Sequence, residues 1–334
     1  MRLLVFGILF LLVSCFGTRL NKNTLPNKNY IIPPGTLQIH PNLFLDQSEV
    51  SNFSYLEFYW YTKRLFGDSS EEFKTIIPNE SVWTDLGEKY YPLVDWYFMH
   101  PTYRDYPLVG ITKEQAEVYC KWRTNRVMEY ILLREGIIDH NPVPTKENCF
   151  TIEKYFTGNY MGLKADTSFL YYPEYFLPDT SMYVDLERFN NEINNNKRFK
   201  NKNTQIMRSV ICKEKIQPMI DTIRNGSPPT VITWDLSLSN KKIITHLKGN
   251  VQELTSTNGI SYGGSYLDSC HTVTTMFFYK FKISKENFHE IASTNPIPLD
   301  STHKLIRMCF YKPEIPNCYT GFRCVCRYKK WHQE

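Results

Sequence analysis

The first fifteen residues restrict what the rest of this chain can fold into. Arg2 precedes an apolar run from Leu3 to Val13, and Ser14 and Cys15 follow it. A run this short cannot cross a bilayer as a helix, because a helix needs about 20 apolar residues to do so. The pattern is typical of a signal peptide. It predicts that the chain is exported and that the remaining residues fold in an oxidising compartment.

The end of the leader indicates how the exported chain is held. Residues 12–15 read LVSC, which resembles the lipobox of bacterial lipoproteins, in which the cysteine is acylated and becomes the first mature residue. The alternative is an ordinary signal peptide with a chance cysteine. Two or three acyl chains on Cys15 would give stable membrane anchoring. Gly17 at the second mature position, with no acidic cluster after it, favours an outer-membrane lipoprotein that faces the periplasm.

The composition favours a packed body and argues against nucleic-acid binding. Hydrophobic residues make up 42% of the chain and aromatic residues 15%, so a sizeable core is expected rather than disorder. The formal net charge of +5 is small for a chain of 39.5 kDa. Such a balance does not indicate a nucleic-acid partner.

The cysteine count predicts disulfides. Nine cysteines are present, and removal of Cys15 leaves eight, an even number. In an oxidising compartment disulfides are the default for such cysteines. Cys309, Cys318, Cys324 and Cys326 lie close in sequence, but their spacings of 9, 6 and 2 include no CxxC pair. That spacing argues against a zinc site.

Local patterns predict two helices and an early strand. Residues 33–36 read PPGT and indicate a turn before a short strand. Ser51 is placed as the N-cap of a helix whose apolar face carries four residues at spacings of three and four. Thr112 and Gln115 have the spacing of a capping box before a second, longer helix. The apolar residues assigned to the two helices are Phe53, Leu56, Tyr59 and Trp60 in the first, and Ala116, Tyr119, Cys120, Val127, Tyr130 and Ile131 in the second.

Five short blocks, taken in order, carry a resemblance to a known family. Residues 44–52 read FLDQSEVSN and resemble that family's aromatic-x-Asp-x-x-Glu-Val-Thr-Asn pattern. Residues 106–122 resemble its Pro-Val-x-x-Val-Ser-Trp…Ala…Tyr-Cys-x-Trp pattern. Residues 249–255, 263–266 and 321–324 read GNVQELT, GGSY and GFRC, and resemble Gly-Asn-Val-Trp-Glu-Trp-Thr, Gly-Gly-Ser-Trp/Tyr and Gly-Phe-Arg-Cys. The chain is thus similar to the formylglycine-generating-enzyme, or sulfatase-modifying-factor, family.

The resemblance implies a fold and a domain plan. It implies an α+β fold of the C-type-lectin-like kind with little regular secondary structure. The expected plan is a lipoprotein signal peptide over residues 1–14, a lipidated tether over 15–30, and a formylglycine-generating-enzyme-like domain over 31–334. Residues 16–30 are polar and rich in Asn and Lys, as suits a tether.

Finer details resemble one branch of the family. His100-Pro101-x-Tyr103, and residues 120–126, which read CKWRTNR, are similar to gliding-motility lipoproteins. That branch implies an envelope component associated with surface-adhesin movement and type IX secretion. Its partners would be the membrane, through the N-terminal lipid, and other envelope proteins of the motility or secretion complex.

The chemistry of the family is not retained in the sequence. The family's enzyme oxidises a cysteine with a copper ion held by two thiolates, soft ligands that suit Cu(I). The corresponding positions here are Asp268 and Val273, so no catalytic residue is assigned. The predicted role is a non-catalytic scaffold or binding component. The alternative is a copper-dependent cysteine oxidase that uses Cys270 with a second ligand such as His271 or Cys309.

The resemblance also implies two bonding features. In the family, the cysteine of the Tyr-Cys-x-Trp helix pairs with that of Gly-Phe-Arg-Cys, which makes Cys120 and Cys324 the expected disulfide; two buried free thiols are the alternative. A family calcium loop matches the carbonyls of Gly249 and Val251 and the carboxylate of Glu253, oxygen ligands of the kind that Ca²⁺ requires. No other cofactor is expected, and the alternative role of Glu253 is to cap local backbone amides.

A dense aromatic stretch, residues 80–106, is the candidate contact surface for a partner, since protein interfaces are enriched in aromatic residues. The alternative is that these rings form the core of a loop-rich fold. The aromatic residues concerned are Trp83, Tyr90, Tyr91, Trp96, Tyr97, Phe98, Tyr103 and Tyr106.

Overall fold

A computed structural model describes residues 25–183, 186, 244–268, 309–310 and 315–332. The α-helices are α1 (Asn52–Phe66), α2 (Glu71–Lys74), α3 (Pro92–Trp96), α4 (Lys113–Arg134) and α5 (Ile152–Phe156). The strands are β1 (Thr36–His40), β2 (Leu43–Asp46), β3 (Tyr171–Phe176), β4 (Gln252–Leu254), β5 (Ile260–Tyr262), β6 (Cys309–Phe310), β7 (Thr320–Gly321) and β8 (Val325–Lys330). Turns, bends and short 3₁₀ segments join them. The expected α+β class with little regular secondary structure is therefore confirmed.

The strands form two four-stranded sheets. In the first sheet the strand order is β1-β2-β8-β3, and every neighbouring pair is antiparallel. In the second sheet the order is β6-β5-β4-β7, and the pair of β4 with β7 is parallel. Helix α4 packs against β3 of the first sheet. The long helix α4 thus lies against the edge strand β3 of the first sheet.

The C-terminal segment passes from one sheet to the other. Gly321 in β7 pairs with Glu253, and four residues later Val325 in β8 pairs with Leu45 of β2. Only glycine fits at position 321, because a Cβ atom there would lie 2.5 Å from the Leu108 carbonyl oxygen. The residues between β7 and β8 therefore lie at the junction of the two sheets.

Both predicted helices begin where the sequence places them. The Ser51 side chain accepts a hydrogen bond from the Ser54 backbone at the start of the 15-residue helix α1. Thr112 and Gln115 form a complete capping box at the start of the 22-residue helix α4. Two backbone N–H groups that a helix start leaves unpaired are satisfied by such a box. The predicted strand after the PPGT turn is β1.

The main hydrophobic core lies between α1, α4, α5 and the first sheet. From the predicted apolar face of α4, Ala116, Tyr119, Cys120, Val127 and Ile131 are buried in it. Tyr130 is exposed, so its assignment to that face is wrong. Two smaller clusters lie around the 3₁₀ segment Glu80–Leu86 and around Tyr183 and Tyr262.

Of the described helices, none combines the length and the apolar character that a membrane span requires. The leader and Cys15 lie outside the described residues.

Candidate functional site

Buried charged side chains occupy the junction of the two sheets. Arg323 has no exposed surface, and its Nε donates to both carboxylate oxygens of Glu253, at 2.8 and 2.7 Å. Its other nitrogens donate to the backbone carbonyls of Asp46, at 3.2 Å, and Thr245, at 2.9 Å. One guanidinium therefore joins β4 of the second sheet to β2 of the first.

A second carboxylate lies on the other side of Arg323. Glu49 is 3.8 Å from the Arg323 guanidinium, and its Oε1 accepts a hydrogen bond from Asn250 Nδ2 at 3.0 Å. His246 Nδ1 lies 3.6 Å from Glu49 Oε2. Burial acts to raise the pKa of Glu49, but His246, Arg323 and Asn250 outweigh it and hold that pKa below the ordinary value. Glu49 therefore stays ionised at neutral pH.

This buried centre holds the frame together and does not face a substrate. Glu49, Asn250, Glu253 and Arg323 are each at most 2% exposed. Burial alone would lower the pKa of Arg323, but the two carboxylates raise it above its ordinary value. Buried charges are tolerated when they are paired and hydrogen-bonded, as Glu253 and Arg323 are; Glu49 Oε2 has no hydrogen-bond partner among the described residues and is compensated by the nearby Arg323 and His246. The arrangement can stabilise the junction of the sheets, and a reacting molecule cannot reach it.

The proposed calcium ligands are close in the chain, but the carboxylate is already occupied. Besides Arg323, Tyr183 donates its hydroxyl to Glu253 Oε2 at 2.7 Å. A guanidinium against both oxygens of Glu253 does not fit a calcium ligand, because the two cations would repel. The described residues hold no group of three or more His, Cys, Asp or Glu side chains that could bind a metal. The calcium ion at Gly249, Val251 and Glu253 stays a prediction.

A second buried ion pair lies beside the first. Arg123 on α4 binds Asp46 through two hydrogen bonds, Nη1 to Oδ2 at 2.7 Å and Nη2 to Oδ1 at 2.8 Å. Asp46 Oδ2 also accepts from the Cys324 backbone N–H at 2.9 Å. The guanidinium stacks on the Tyr175 ring at 4.3 Å. This bidentate pair fixes α4 against β2 and β3.

The two cysteines of the expected disulfide lie side by side. Cys120 Sγ and Cys324 Sγ are 3.5 Å apart, and both residues are buried. Cys326 is buried in the same core. Burial raises the pKa of the Cys324 and Cys326 thiols well above the usual range, so neither is a reactive thiolate. The disulfide itself stays a prediction.

A carboxylate occupies one position at which the family has a catalytic cysteine. Ser265 donates to Asp268 Oδ2 from its backbone N–H, at 2.8 Å, and from its hydroxyl, at 3.2 Å. These bonds close the turn after Gly263 and Gly264. Asp268 thus stabilises a turn at a place where the resemblance would require a thiolate. Cys270 lies outside the described residues, as do His271 and Val273.

The aromatic stretch 80–106 is mostly core, which corrects its assignment as a contact surface. Several of its rings pack together. The ring centroids of Trp83 and Tyr97 lie 4.5 Å apart, and the Tyr97 ring stacks on that of Tyr103 with the centroids 5.8 Å apart. This region has only short 3₁₀ segments and one short helix. Its local core is therefore formed mainly by the aromatic rings. The buried members are Trp83, Tyr90, Tyr97, Phe98 and Tyr103.

Some of the exposed apolar side chains of the described residues lie on α1 and on the neighbouring segment 96–104. Phe53 and Trp60 on α1 are 47% and 54% exposed, so their assignment to its buried face is wrong. Trp96 is 51% exposed, and Met99 is exposed as well. The segment contacts α1 through the hydrogen bond from Phe53 N to Arg104 O, at 2.8 Å. We call these four exposed side chains the aromatic face.

Sequence reasoning missed the buried charge centre, although its members stand in the quoted blocks. Glu49 belongs to the first block, Asn250 and Glu253 to the third, and Arg323 to the last. A charged residue inside a short apolar block is a signal of burial with a partner. Three such blocks in one chain could have predicted that their charged residues pair with one another inside the fold.

The comparisons with known proteins do not identify a family. No protein-family model matches this chain, and no curated protein matches it. Among solved structures, one titled "Crystal Structure of CarF" is 11% identical to this chain, with 85% of this chain and 86% of that one covered and a TM-score of 0.32. A likeness at that level carries no conclusion about this protein.

Proposed function

We propose that this protein is a lipid-anchored envelope component with a formylglycine-generating-enzyme-like domain that acts as a non-catalytic scaffold. Its place would be the outer membrane, through Cys15, facing the periplasm. The partners would be envelope proteins of a gliding-motility or type IX secretion apparatus. The five collinear blocks and the lipobox-like leader are the sequence basis for this proposal.

The aromatic face is the observation that carries the scaffold role. Trp60 and Phe53 project from one helix seven residues apart, with Trp96 and Met99 on the adjoining segment. Exposed aromatic residues and Met are typical of the central part of protein interfaces, where a few such side chains provide most of the binding energy. Basic groups lie over the rings, with Lys63 5.3 Å from Trp60 and Arg104 5.1 Å from Phe53. Each of these basic groups also pairs with a carboxylate, Lys63 with Asp68 and Arg104 with Asp105, so a partner would meet apolar rings beside ion pairs.

The polar residues of the family blocks support the same role. Glu49 and Glu253 each pair with Arg323 inside the fold, so stability alone accounts for these charged residues of the blocks. Asp268 closes a turn where a thiolate would be needed for copper-dependent oxidation. A retained frame with altered site residues is what a binding domain derived from an enzyme fold would have.

The experiment is a detergent pull-down of the lipidated protein from its own envelope, read by mass spectrometry. A variant with Phe53→Ala and Trp60→Ala should lose its stable partners. Tyr130→Ala is the matched control, since it removes an exposed ring from α4 outside the aromatic face. Thermal melts of all variants establish that each is folded. Partners retained by the double variant would remove the aromatic face from the proposal.

Two further measurements test the anchor and the rival chemistry. Labelled fatty acid should be incorporated into the wild-type chain and not into Cys15→Ala. An oxygen-consumption assay on cysteine peptides with copper should give no turnover. Copper-dependent turnover that is lost in Cys270→Ser would overturn the scaffold in favour of the oxidase.

A further inference from the structure

The N-terminal segment is fastened to the body before the chain leaves it. Tyr30 is buried, and its hydroxyl donates to the Tyr171 carbonyl at 2.9 Å. The Tyr328 hydroxyl donates to the Ile31 carbonyl at 2.7 Å. These bonds join the segment to the first sheet. The point at which the chain departs toward Cys15 is therefore fixed on the domain surface.

Two more contacts extend this attachment toward the N-terminus. Asn27 Nδ2 donates to the Ser168 carbonyl at 3.0 Å, and Arg134 Nη2 donates to the Asn29 carbonyl at 2.6 Å. Leu25 packs against the main core. These contacts fasten the chain to the domain from Leu25 onward among the described residues.

The chain between the anchor and this point is short. Ten residues separate Cys15 from Leu25. They span at most about 35 Å when fully extended. As a flexible chain they would span roughly 18 Å on average. A lipid on Cys15 would therefore keep the surface around residues 25–32 close to the bilayer.

The chain is basic around the point where it leaves the domain toward Cys15, which we call the exit. Arg19, Lys22 and Lys28 lie between Cys15 and Gly35, and no Asp or Glu occurs there. Juxtamembrane Lys and Arg residues are attracted to anionic lipids by about 1 kcal/mol each near the surface. The charge of this segment therefore favours a negatively charged partner.

The folded surface beside the exit also carries exposed lysines. Lys164 and Lys330 are exposed and make no ion pair with any described residue. Exposed apolar side chains accompany them, with Met161 60% exposed. Of the carboxylates beside this surface, Glu174 is bound by Arg327 and Lys329, and Asp166 accepts hydrogen bonds from the Ser168 backbone N–H and hydroxyl. We call the following set the exit face: Lys28, Ile32, Met161, Leu163, Lys164 and Lys330.

We infer that the exit face binds the anionic headgroups of the bilayer and so orients the domain on the membrane. The inference rests on the proposed lipid anchor at Cys15, which brings this face within reach of the lipid. Lysines contact the phosphate groups, and the apolar side chains enter the headgroup region, as mixed basic and apolar surfaces do. Because the lipid anchor keeps the exit face at a high effective concentration near the headgroups, a weak contact between them suffices. The aromatic face on α1 is left free for protein partners.

The test uses the mature chain from residue 15 with Cys15→Ser, so that no acyl group contributes. Binding is measured by co-sedimentation with phosphatidylcholine vesicles that contain or lack phosphatidylglycerol. The chain should bind the anionic vesicles, and salt should weaken the binding. Neutralising Lys28, Lys164 and Lys330 together to Gln should weaken it about a hundredfold, since about 1 kcal/mol for each lysine is about fivefold.

The matched control neutralises three exposed lysines elsewhere, Lys74, Lys121 and Lys146, and should retain vesicle binding. Equal binding by the exit-face triple variant, or equal binding to vesicles without phosphatidylglycerol, would overturn the inference. The fatty-acid labelling of Cys15 is a separate measurement. A chain that is acylated but does not bind anionic vesicles would refute the exit face and leave the anchor intact.

Discussion

The sulfur atoms of Cys120 and Cys324 lie 3.5 Å apart although 204 residues separate them in the chain. Cys120 lies on α4, one turn before Arg123, and Cys324 directly precedes β8. The same contact region contains the Asp46 carboxylate, which accepts from Cys324 N. The Asp46 carboxylate thus joins Arg123 of α4 to the residue before β8, beside the two cysteines.

We expect these two thiols to form a disulfide under oxidising conditions. Closing a loop of this length contributes about 4–5 kcal/mol in the chain-entropy model. Peptide mapping without reductant should recover the Cys120 and Cys324 peptides as one linked species, and reduction should lower the free energy of unfolding. Cys149→Ser is the control and should leave the linked species intact. A Cys120 peptide that alkylates without reductant would contradict the pairing.

Calcium removal tests the Glu253 site. Because Arg323 and Tyr183 occupy both carboxylate oxygens, we expect the melting temperature to be the same with excess calcium and with a chelator. Glu253→Gln should lower it by the same amount in both solutions, since the Arg323 partner is lost in either case. Stoichiometric calcium in the purified protein, together with a chelator-induced shift, would support the family's calcium loop instead.

The sequence predicted the elements whose signals are local. Ser51 and the Thr112–Gln115 pair marked both helix starts, because an N-cap depends only on side chains within one turn. The α+β class was implied by the resemblance to the formylglycine-generating-enzyme family. The same resemblance implied that Cys120 and Cys324 form a disulfide, and their sulfur atoms are in contact in the structure.

Errors arose where tertiary packing decides exposure. Phe53 and Trp60 have the helical spacing of a buried face, yet α1 packs with Tyr55 and Phe58 inward and leaves them at the surface. Trp83 and Tyr97 lie in a stretch whose aromatic density favoured a contact surface, yet both are buried. Periodicity reports which residues share a face but not which face meets the rest of the fold.

Glu80 gives a pH-dependent prediction. Burial, with a smaller contribution from Asp95, raises the pKa of Glu80 above its ordinary value, and its Oε1 has no hydrogen-bond partner among the described residues. The folded state therefore disfavours the ionised form. This cost is present above the folded pKa and disappears as the pH falls below the unfolded value.

Glu80→Gln should therefore stabilise the protein at neutral pH, by at most about 1 kcal/mol because the group is only partly buried. The gain should vanish near pH 4, where the unfolded carboxyl is also protonated. Urea unfolding at both pH values measures it. Glu88→Gln, at an exposed position, controls for the loss of one negative charge. A gain of equal size at both pH values would show that the effect is not electrostatic.

Arg323 should be the most sensitive charged residue in the described fold. Its guanidinium is the shared cation of Glu49 and Glu253, and all three are buried. Arg323→Met leaves two buried carboxylates without their cation, and breaking a buried pair in this way costs about 3–5 kcal/mol. Arg323→Lys should also destabilise, because an ammonium cannot reproduce the forked hydrogen bonds to Glu253.

The control lies four residues further along. Arg327→Met removes an exposed pair with Glu174 and should cost less than about 1 kcal/mol. The double variant Arg323→Met with Glu253→Gln should recover part of the loss, because one unpaired charge is removed with its partner. Urea midpoints of the variants give the comparison. Similar losses for Arg323→Met and Arg327→Met would mean that the charge centre does not hold the two sheets together.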